Sequence, residues 1–420
     1  MGDKIERLTV EAVELLKEMI AIPSPSFSES AVCEHISGWL SERDIEHRRV
    51  GNNIIAEHIT DPSMPTLMLC AHIDTVSPAE GYGFDPYDPH YDVAADVIGN
   101  LTGQDVGPED IVAGLGSNDD GASVVAMIAA YRYFTQSFWS AVEVGNDPSH
   151  SYGAGQLVET VHRTVSEPLA CPCGQGGSTV FNSHSTPGTG TKNLMLVLTC
   201  EEERSGRNGM TGLWPELASK VDFAIVGEPT GMKAATAERG LLVIDATAYG
   251  VSGHAARNEG ENALYKAMED IMNLRSHVFG KVSPRMGKVN LNVTQINAGS
   301  AHNVIPERCE FVIDIRPTEQ YSNEEILEEL QGICQSELKP RNLANRSSAT
   351  FEGSPLQKTA EALGIGTFSS PTTSDWMRIT CDAIKMGPGE SARSHKKDEF
   401  VFVKEIEKGI ETYIEFIKSL

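Results

Sequence analysis

Basic charge is scarce in this chain. Lys and Arg number 34 against 59 Asp and Glu, a formal net charge of -25 at pH 7. Phosphate backbones are gripped by basic surfaces, so the balance argues against nucleic acid as a partner. It says little about a small substrate, because a local pocket can differ from the global field. Long apolar runs are also missing, and none is long enough to span a bilayer. The first twenty residues lack the apolar centre of a signal peptide. Glu6 stands where a myristoylation motif wants Ser or Thr. The eight cysteines are scattered, and only Cys171 and Cys173 lie close together. A lone C-x-C is a weak metal signal, and scattered cysteines without a leader imply reduced thiols and a cytoplasmic setting. No internal repeat is visible.

What is present is the texture of a globular protein. With 420 residues, two domains are the natural expectation. The apolar runs Thr66 to Cys70, Asn193 to Thr199 and Phe223 to Val226 are bounded by polar residues, which fits buried strands of a mostly parallel sheet. Helical patterns lie between them, as at Ala122 to Phe134. The alternation predicts an α/β domain: a mostly parallel mixed sheet with helices on both faces. Each run leads into a polar cluster, and in such sheets ligands bind beyond the carboxyl ends of the strands. From about Leu241 the pattern changes to alternating strands with a helix over Asn262 to Leu274. This predicts a smaller α+β domain inserted into the larger one. Val13, Leu16, Met19 and Ile20 share one face of a first helix, and Ile406, Ile410, Tyr413 and Ile417 one face of a last. Two stretches break the rhythm. Residues 92–111 are polar with few clear elements. Residues 136–192 end in a run rich in Gly, Ser and Thr, a composition typical of disorder.

The chemistry sits after the strands. His72 and Asp74 form H-x-D, a metal ligand with a carboxylate to fix its tautomer, or simply a core histidine. Gly114 to Ser123 (GLGSNDDGAS) places Asp119 or Asp120 at a helix start, where helix capping alone would favour aspartate. Glu201, Glu202 and Glu203 repel one another unless solvated or offset by a cation. Glu228 and His395 are unremarkable alone. Together, His, Asp, Glu, Glu and His are the N and O donors that zinc or a similar divalent ion takes. Five donors exceed the need of one tetrahedral ion and point to two ions sharing a carboxylate. Ions about 3.5–4 Å apart can activate water and polarise a carbonyl, and a further carboxylate is then a natural general base.

The ordered motifs AHIDT, GLGSNDDGAS, TCEEERSGRNG, VGEPT, GVSGHAARNEGENA, GSAHNVIPERCEFVIDIR and GPGESARSH resemble those of the co-catalytic zinc amidohydrolases. That family includes acetylornithine deacetylase, succinyl-diaminopimelate desuccinylase and carboxypeptidase G. The resemblance covers nearly the whole chain outside the two odd stretches, and TTSDWMR with KMGPGESARSH looks most like the acetylornithine deacetylase group.

The resemblance implies that His72 and His395 each bind one metal, Asp119 bridges both, and Glu203 and Glu228 each complete one shell. Glu202 resembles the catalytic base, and Asp74 the partner of His72. His254 resembles a histidine that reaches the partner subunit's site and steadies the oxyanion. Asn303 and Arg316 match positions associated with the substrate carboxylate, although a structural ion pair is the plain alternative for Arg316. The implied cofactor is two zinc ions, with cobalt or manganese as substitutes. Residues 1–232 and 343–420 would form the metal-binding domain, and residues 233–342 a dimerisation domain giving a homodimer. The implied activity is removal of an acetyl or succinyl group from an amino acid, N-acylornithine in arginine biosynthesis above all. A dipeptidase or aminoacylase on the same chemistry is the enzymatic rival, and an inactive scaffold the non-enzymatic one. The chain departs from the family in the length of its segments between His72 and Asp119 and between Asp119 and Glu202.

Overall fold

The computed structural model describes residues 2–88, 91–136, 192–257 and 259–420. Apart from its two end residues, the odd stretch 136–192 lies outside the described residues.

The three apolar runs form neighbouring parallel strands. Thr66–His72 lies between Asn193–Thr199 and Phe223–Val226, and Asp382–Lys385 continues the parallel set beyond Phe223–Val226. Both faces of these strands are covered, which is why they read as continuous apolar runs rather than alternating ones. On one face Met68, Cys70, Met195, Val197, Ala224 and Val226 share a core with Met210, Leu213, Trp214 and Leu217 of the helix Met210–Leu217. On the other, Leu67, Leu69, Leu196, Leu198 and Ile225 are equally buried. Antiparallel pairings flank them: Asn53–His58 pairs with Asn193–Thr199, and Ala234–Glu238 meets Asp382–Lys385 while taking Thr367–Ser370 as a parallel neighbour. The sheet is therefore mixed, with its parallel strands at the centre.

The second texture is a separate antiparallel sheet. Its order is Asn290–Ala298, Arg308–Arg316, Leu242–Tyr249, Glu337–Pro340. Leu242, Ile244, Ala246 and Ala248 alternate inward, as a half-buried strand requires. They share a core with Ala263, Ala267 and Leu274 of the helix Ala263–Ser276, and with Ile326 and Leu330 of Asn323–Gln331. Asn262 caps the first of these helices through Leu264 N, and Ser322 with Glu325 forms a capping box on the second.

The first and last helices, Gly2–Ile20 and Val403–Ser419, pack against each other through the predicted faces. The reading of residues 92–111 as lacking clear elements is corrected. Tyr91–Thr102 is a helix, and Ile111–Ala113 is a strand paired with Phe400–Phe402. Ala94, Ala95 and Ile98 bury one helix face against Phe84, Ile111, Ala113 and Phe400. The apolar stripe is narrow and built partly of alanine, so the surrounding Asp and Asn residues masked it. Among the described residues no helix is long and apolar enough to cross a membrane.

Candidate metal centre

Strand register decides which groups meet. His72 is paired with Thr199, and Cys70 with Val226. Glu202 and Glu203 follow just beyond Thr199, and Glu228 just beyond Val226. All three clusters therefore emerge at one carboxyl edge of the parallel strands, where open α/β sheets place their sites.

Asp74 ties the edge together. Its Oδ1 accepts from Glu202 N at 3.0 Å, and its Oδ2 accepts from Glu203 N at 3.2 Å and from Ser26 Oγ at 2.7 Å. His72 Nδ1 lies 2.9 Å from the Asp74 carbonyl oxygen. A proton held on Nδ1 donates there and leaves the Nε2 lone pair facing the cluster.

Asp119 sits in a tight turn, Ser117–Gly121, ahead of the helix Ala122–Thr135. Its two carboxylate oxygens face one imidazole each: Oδ1 is 3.2 Å from His72 Nε2, and Oδ2 is 3.7 Å from His395 Nε2. The turn is held from behind by Glu399, whose Oε1 accepts from Asn118 N and Asp119 N, both at 3.0 Å. Asp120 points elsewhere. Its Oδ2 accepts from His72 N at 3.4 Å, and its Oδ1 is buried without a partner. Gly227 is required by the close packing under this turn, since a Cβ there would lie 2.6 Å from Ser123 Cβ and 3.0 Å from Asp120 Oδ2.

The three adjacent glutamates part company. Glu201 turns back into its own loop, accepting from Asn208 N at 3.0 Å and Asn208 Nδ2 at 2.6 Å. Glu203 Oε1 lies 3.0 Å from His395 Nε2. Two donor groups result, His72 with Asp119 and Glu203, and His72 with Glu202 and Glu228, each with its atoms within 4.8 Å of one another.

The electrostatics follow from crowding acids in a buried space. Burial, helped by the Glu228 charge, holds Glu202 well above the ordinary carboxylate range despite His72, and burial does the same to Glu228 against Lys385. Burial lifts Asp120 to about 8, and lifts Glu399, beside the Asp119 charge, to about 8. The Glu203 hydrogen bond lifts His395 to about 9. Burial pushes His72 down, but its hydrogen bonds to Asp119 and Asp74 carry it well above the imidazole range. Such an arrangement fits cations: several acids crowd a space whose facing bases are imidazoles. The donors are N and O atoms in the mixture zinc, cobalt and manganese accept.

The other predicted residues stand apart from this cluster. His254 is exposed in a short strand paired with Val304–Ile305, and its Nδ1 accepts from Ala256 N. Asn303 lies beside it, its carbonyl accepting from Ala255 N. Arg316 is held by Asp314 through Nε at 2.9 Å and Nη2 at 3.1 Å, the ion-pair alternative for that side chain. Sequence reasoning missed Glu399, Ser26 and Asp375, whose Oδ2 accepts from Thr199 Oγ1 at 2.6 Å. Glu399 follows Lys396, Lys397 and Asp398 in sequence, and the pairing of Phe400–Phe402 with Ile111–Ala113 brings it to the Asp119 turn.

Comparison with known proteins bears on the fold. Residues 236–342 match the family model of the peptidase dimerisation domain of the M20 type. An M20 peptidase from Bacillus subtilis, described as dinuclear and metal-binding, superposes with a TM-score of 0.62 at 14% identity, covering 99% of this chain and 98% of that one. The chain has the M20 fold. Its likeness to the amidohydrolases of this group, read from the motifs, stands. Acetylornithine deacetylase of Myxococcus xanthus is 27% identical over 239 residues, 51% of this chain, and the match spans 61% of that relative's length. Succinyl-diaminopimelate desuccinylase of Wolbachia pipientis is 22% identical, with 98% of this chain and 94% of the relative covered. M20 proteins thus resemble this chain both in the antiparallel sheet and across the whole fold.

Proposed function

We propose that this protein is a metal-dependent hydrolase that removes an acetyl or succinyl group from an amino acid, N-acylornithine first among them. The observation that carries the reading is Asp119, whose two oxygens face His72 and His395 from one carboxylate. His72, Asp119 and Glu228 would hold one zinc, and Asp119, Glu203 and His395 the other. Bound there, the ions supply Lewis-acid polarisation of the acyl carbonyl and a more acidic water. Glu202, the remaining acid of the cluster, takes the proton of the attacking water and passes it to the leaving amine. Asp74 keeps His72 in the right tautomer and orients the backbone of both glutamates.

His254 would act in a partner's site, consistent with its exposure and its place outside both donor groups. That assigns residues 233–342 to dimerisation and residues 1–232 with 343–420 to the metal site. Asn303 and Arg316 would meet the substrate carboxylate, and Arg316 would have to exchange Asp314 for it. A cytoplasmic place in arginine biosynthesis follows from the substrate. The peptidase likeness in fold supports a second reading, a dipeptidase with the same centre. Initial rates with N-acetylornithine, N-succinylornithine and a dipeptide panel, at defined zinc, separate these. Preference for either acylornithine supports the proposal, and a clear dipeptide preference overturns it.

A further inference from the structure

The strand Asp382–Lys385 is buried at all four positions, yet its last residue is a lysine. Lys385 is 1% exposed and Glu238 fully buried. The Lys385 Nζ lies 3.2 Å from Glu238 Oε2 and donates to Thr372 O at 3.1 Å and Thr372 Oγ1 at 3.4 Å. Ser374 Oγ donates to the same Glu238 oxygen at 2.7 Å, and Ser370 Oγ meets Thr372 Oγ1 at 3.1 Å. One residue on, Asp375 is tied to Thr199 at the end of the strand that delivers Glu202 and Glu203. Residues 370–375 are thus strapped to the buried pair at one end and to the site's own strand at the other.

The strap has something to shape. Ser370, Pro371 and Thr372 line a pocket of about 320 Å³, together with Lys385, Phe368 and Glu228. The pocket therefore opens beside a candidate metal ligand. A buried ion pair is a weak means of stabilising a fold, since apolar residues of similar volume often hold strands as well or better. What apolar residues lack is direction. The ammonium donates to Thr372 and the carboxylate accepts from Ser374, and those bonds fix the path of the strap. Burial pushes Lys385 down, but the facing charges of Glu238, Glu228 and Glu202 carry it above the ordinary lysine value, so it stays charged.

We propose that the buried Lys385–Glu238 pair is a positioning device: it holds residues 370–375 as the wall of a substrate pocket beside Glu228 and so sets how tightly substrate is held. The pocket's role as a substrate pocket rests on the hydrolase reading; the pair's hold on the strap does not.

The test is the double variant Lys385→Met with Glu238→Met, which removes both charges of the pair together. With wild-type circular dichroism, amides of residues 370–376 exchange at least roughly tenfold faster with deuterium. KM for the best wild-type substrate rises about tenfold while kcat changes less than about threefold. If the double variant does not fold, Ser374→Ala removes one tie alone, and the same two shifts appear at about threefold. Unchanged exchange in the strap of a folded variant overturns the proposal. So does a fall in kcat at constant KM. Should the wild type hydrolyse no acyl amino acid or dipeptide, the functional reading fails, and the exchange measurement still decides whether the pair holds the strap.

Discussion

Loading metal into the metal-free protein should expel protons, and the site dictates about how many. Glu203 holds His395 at about 9, so at pH 7 that imidazole is protonated roughly a hundred to one. Burial pulls His72 down, but its hydrogen bonds to Asp119 and Asp74 raise it well above its ordinary value. A metal needs the Nε2 lone pair of His395, so that proton must leave, and the upward shifts of His72 and Glu228 act in the same direction. Binding of two ions at pH 7 should therefore release at least about one proton per chain. The His395 proton alone makes apparent affinity rise about tenfold per pH unit below about 9. Calorimetry in buffers of different ionisation heat counts them. His395→Ala should release about one fewer. Without metal, stability moves the opposite way. A raised imidazole contributes fully below its unfolded value near 6.5, and that contribution is lost as pH climbs through about 9. Asp120 and Glu399, at about 8 in the fold, also hold protons there that the unfolded chain has shed. The Tm of chelator-treated protein should fall between pH 6.5 and 8. Binding heat independent of buffer, or a metal-free Tm that rises over that range, would refute this account.

Glu202→Gln should keep its metal, measured by elemental analysis, and lose about 10²–10⁴-fold in turnover, because it removes the proton carrier and none of the five proposed ligands. Wild-type turnover in that variant rejects Glu202 as the base. Gly227→Ala drives a methyl against Ser123, Ala71 and Asp120 and should cost about 1–3 kcal/mol in denaturant unfolding. Met272→Glu should convert a dimer to monomer in light scattering. Tyr265, Met268 and Met272 form one exposed apolar face of the helix Ala263–Ser276, within the segment matching the dimerisation domain.

The fold was legible wherever burial was two-sided or strictly periodic. Thr66–His72 and Asn193–Thr199 are apolar at nearly every position because helices cover both faces. Leu242–Tyr249 alternates because only one face is covered. The helix Tyr91–Thr102 escaped notice because its buried stripe is Ala94, Ala95 and Ile98, too small to stand out among acids and amides. Sheet order is not a local property, so nothing in the sequence tells that Asp382–Lys385 joins Phe223–Val226 across more than 150 intervening residues.

The same division runs through the candidate site. Residues proposed to touch metal lie in local motifs after strands, since each needs a strand end and a turn to present it. Residues that hold those motifs do so from a distance. Glu399 fixes the Asp119 turn from 280 positions away, and Asp375 grips Thr199 from 176. Glu201, Glu202 and Glu203 show why the adjacent case is no easier. All three follow one strand, but Glu201 adopts a left-handed backbone, with φ at 60°, and closes on Asn208. Only then do the next two glutamates face the imidazoles. Glu201→Ala would free Asn208 and slacken the loop, so its effect should reach Glu202 and Glu203 through geometry. A charge run is therefore read correctly only when each carboxylate's surroundings are known: Glu201 closes on Asn208, Glu202 groups with His72 and Glu228, and Glu203 meets His395.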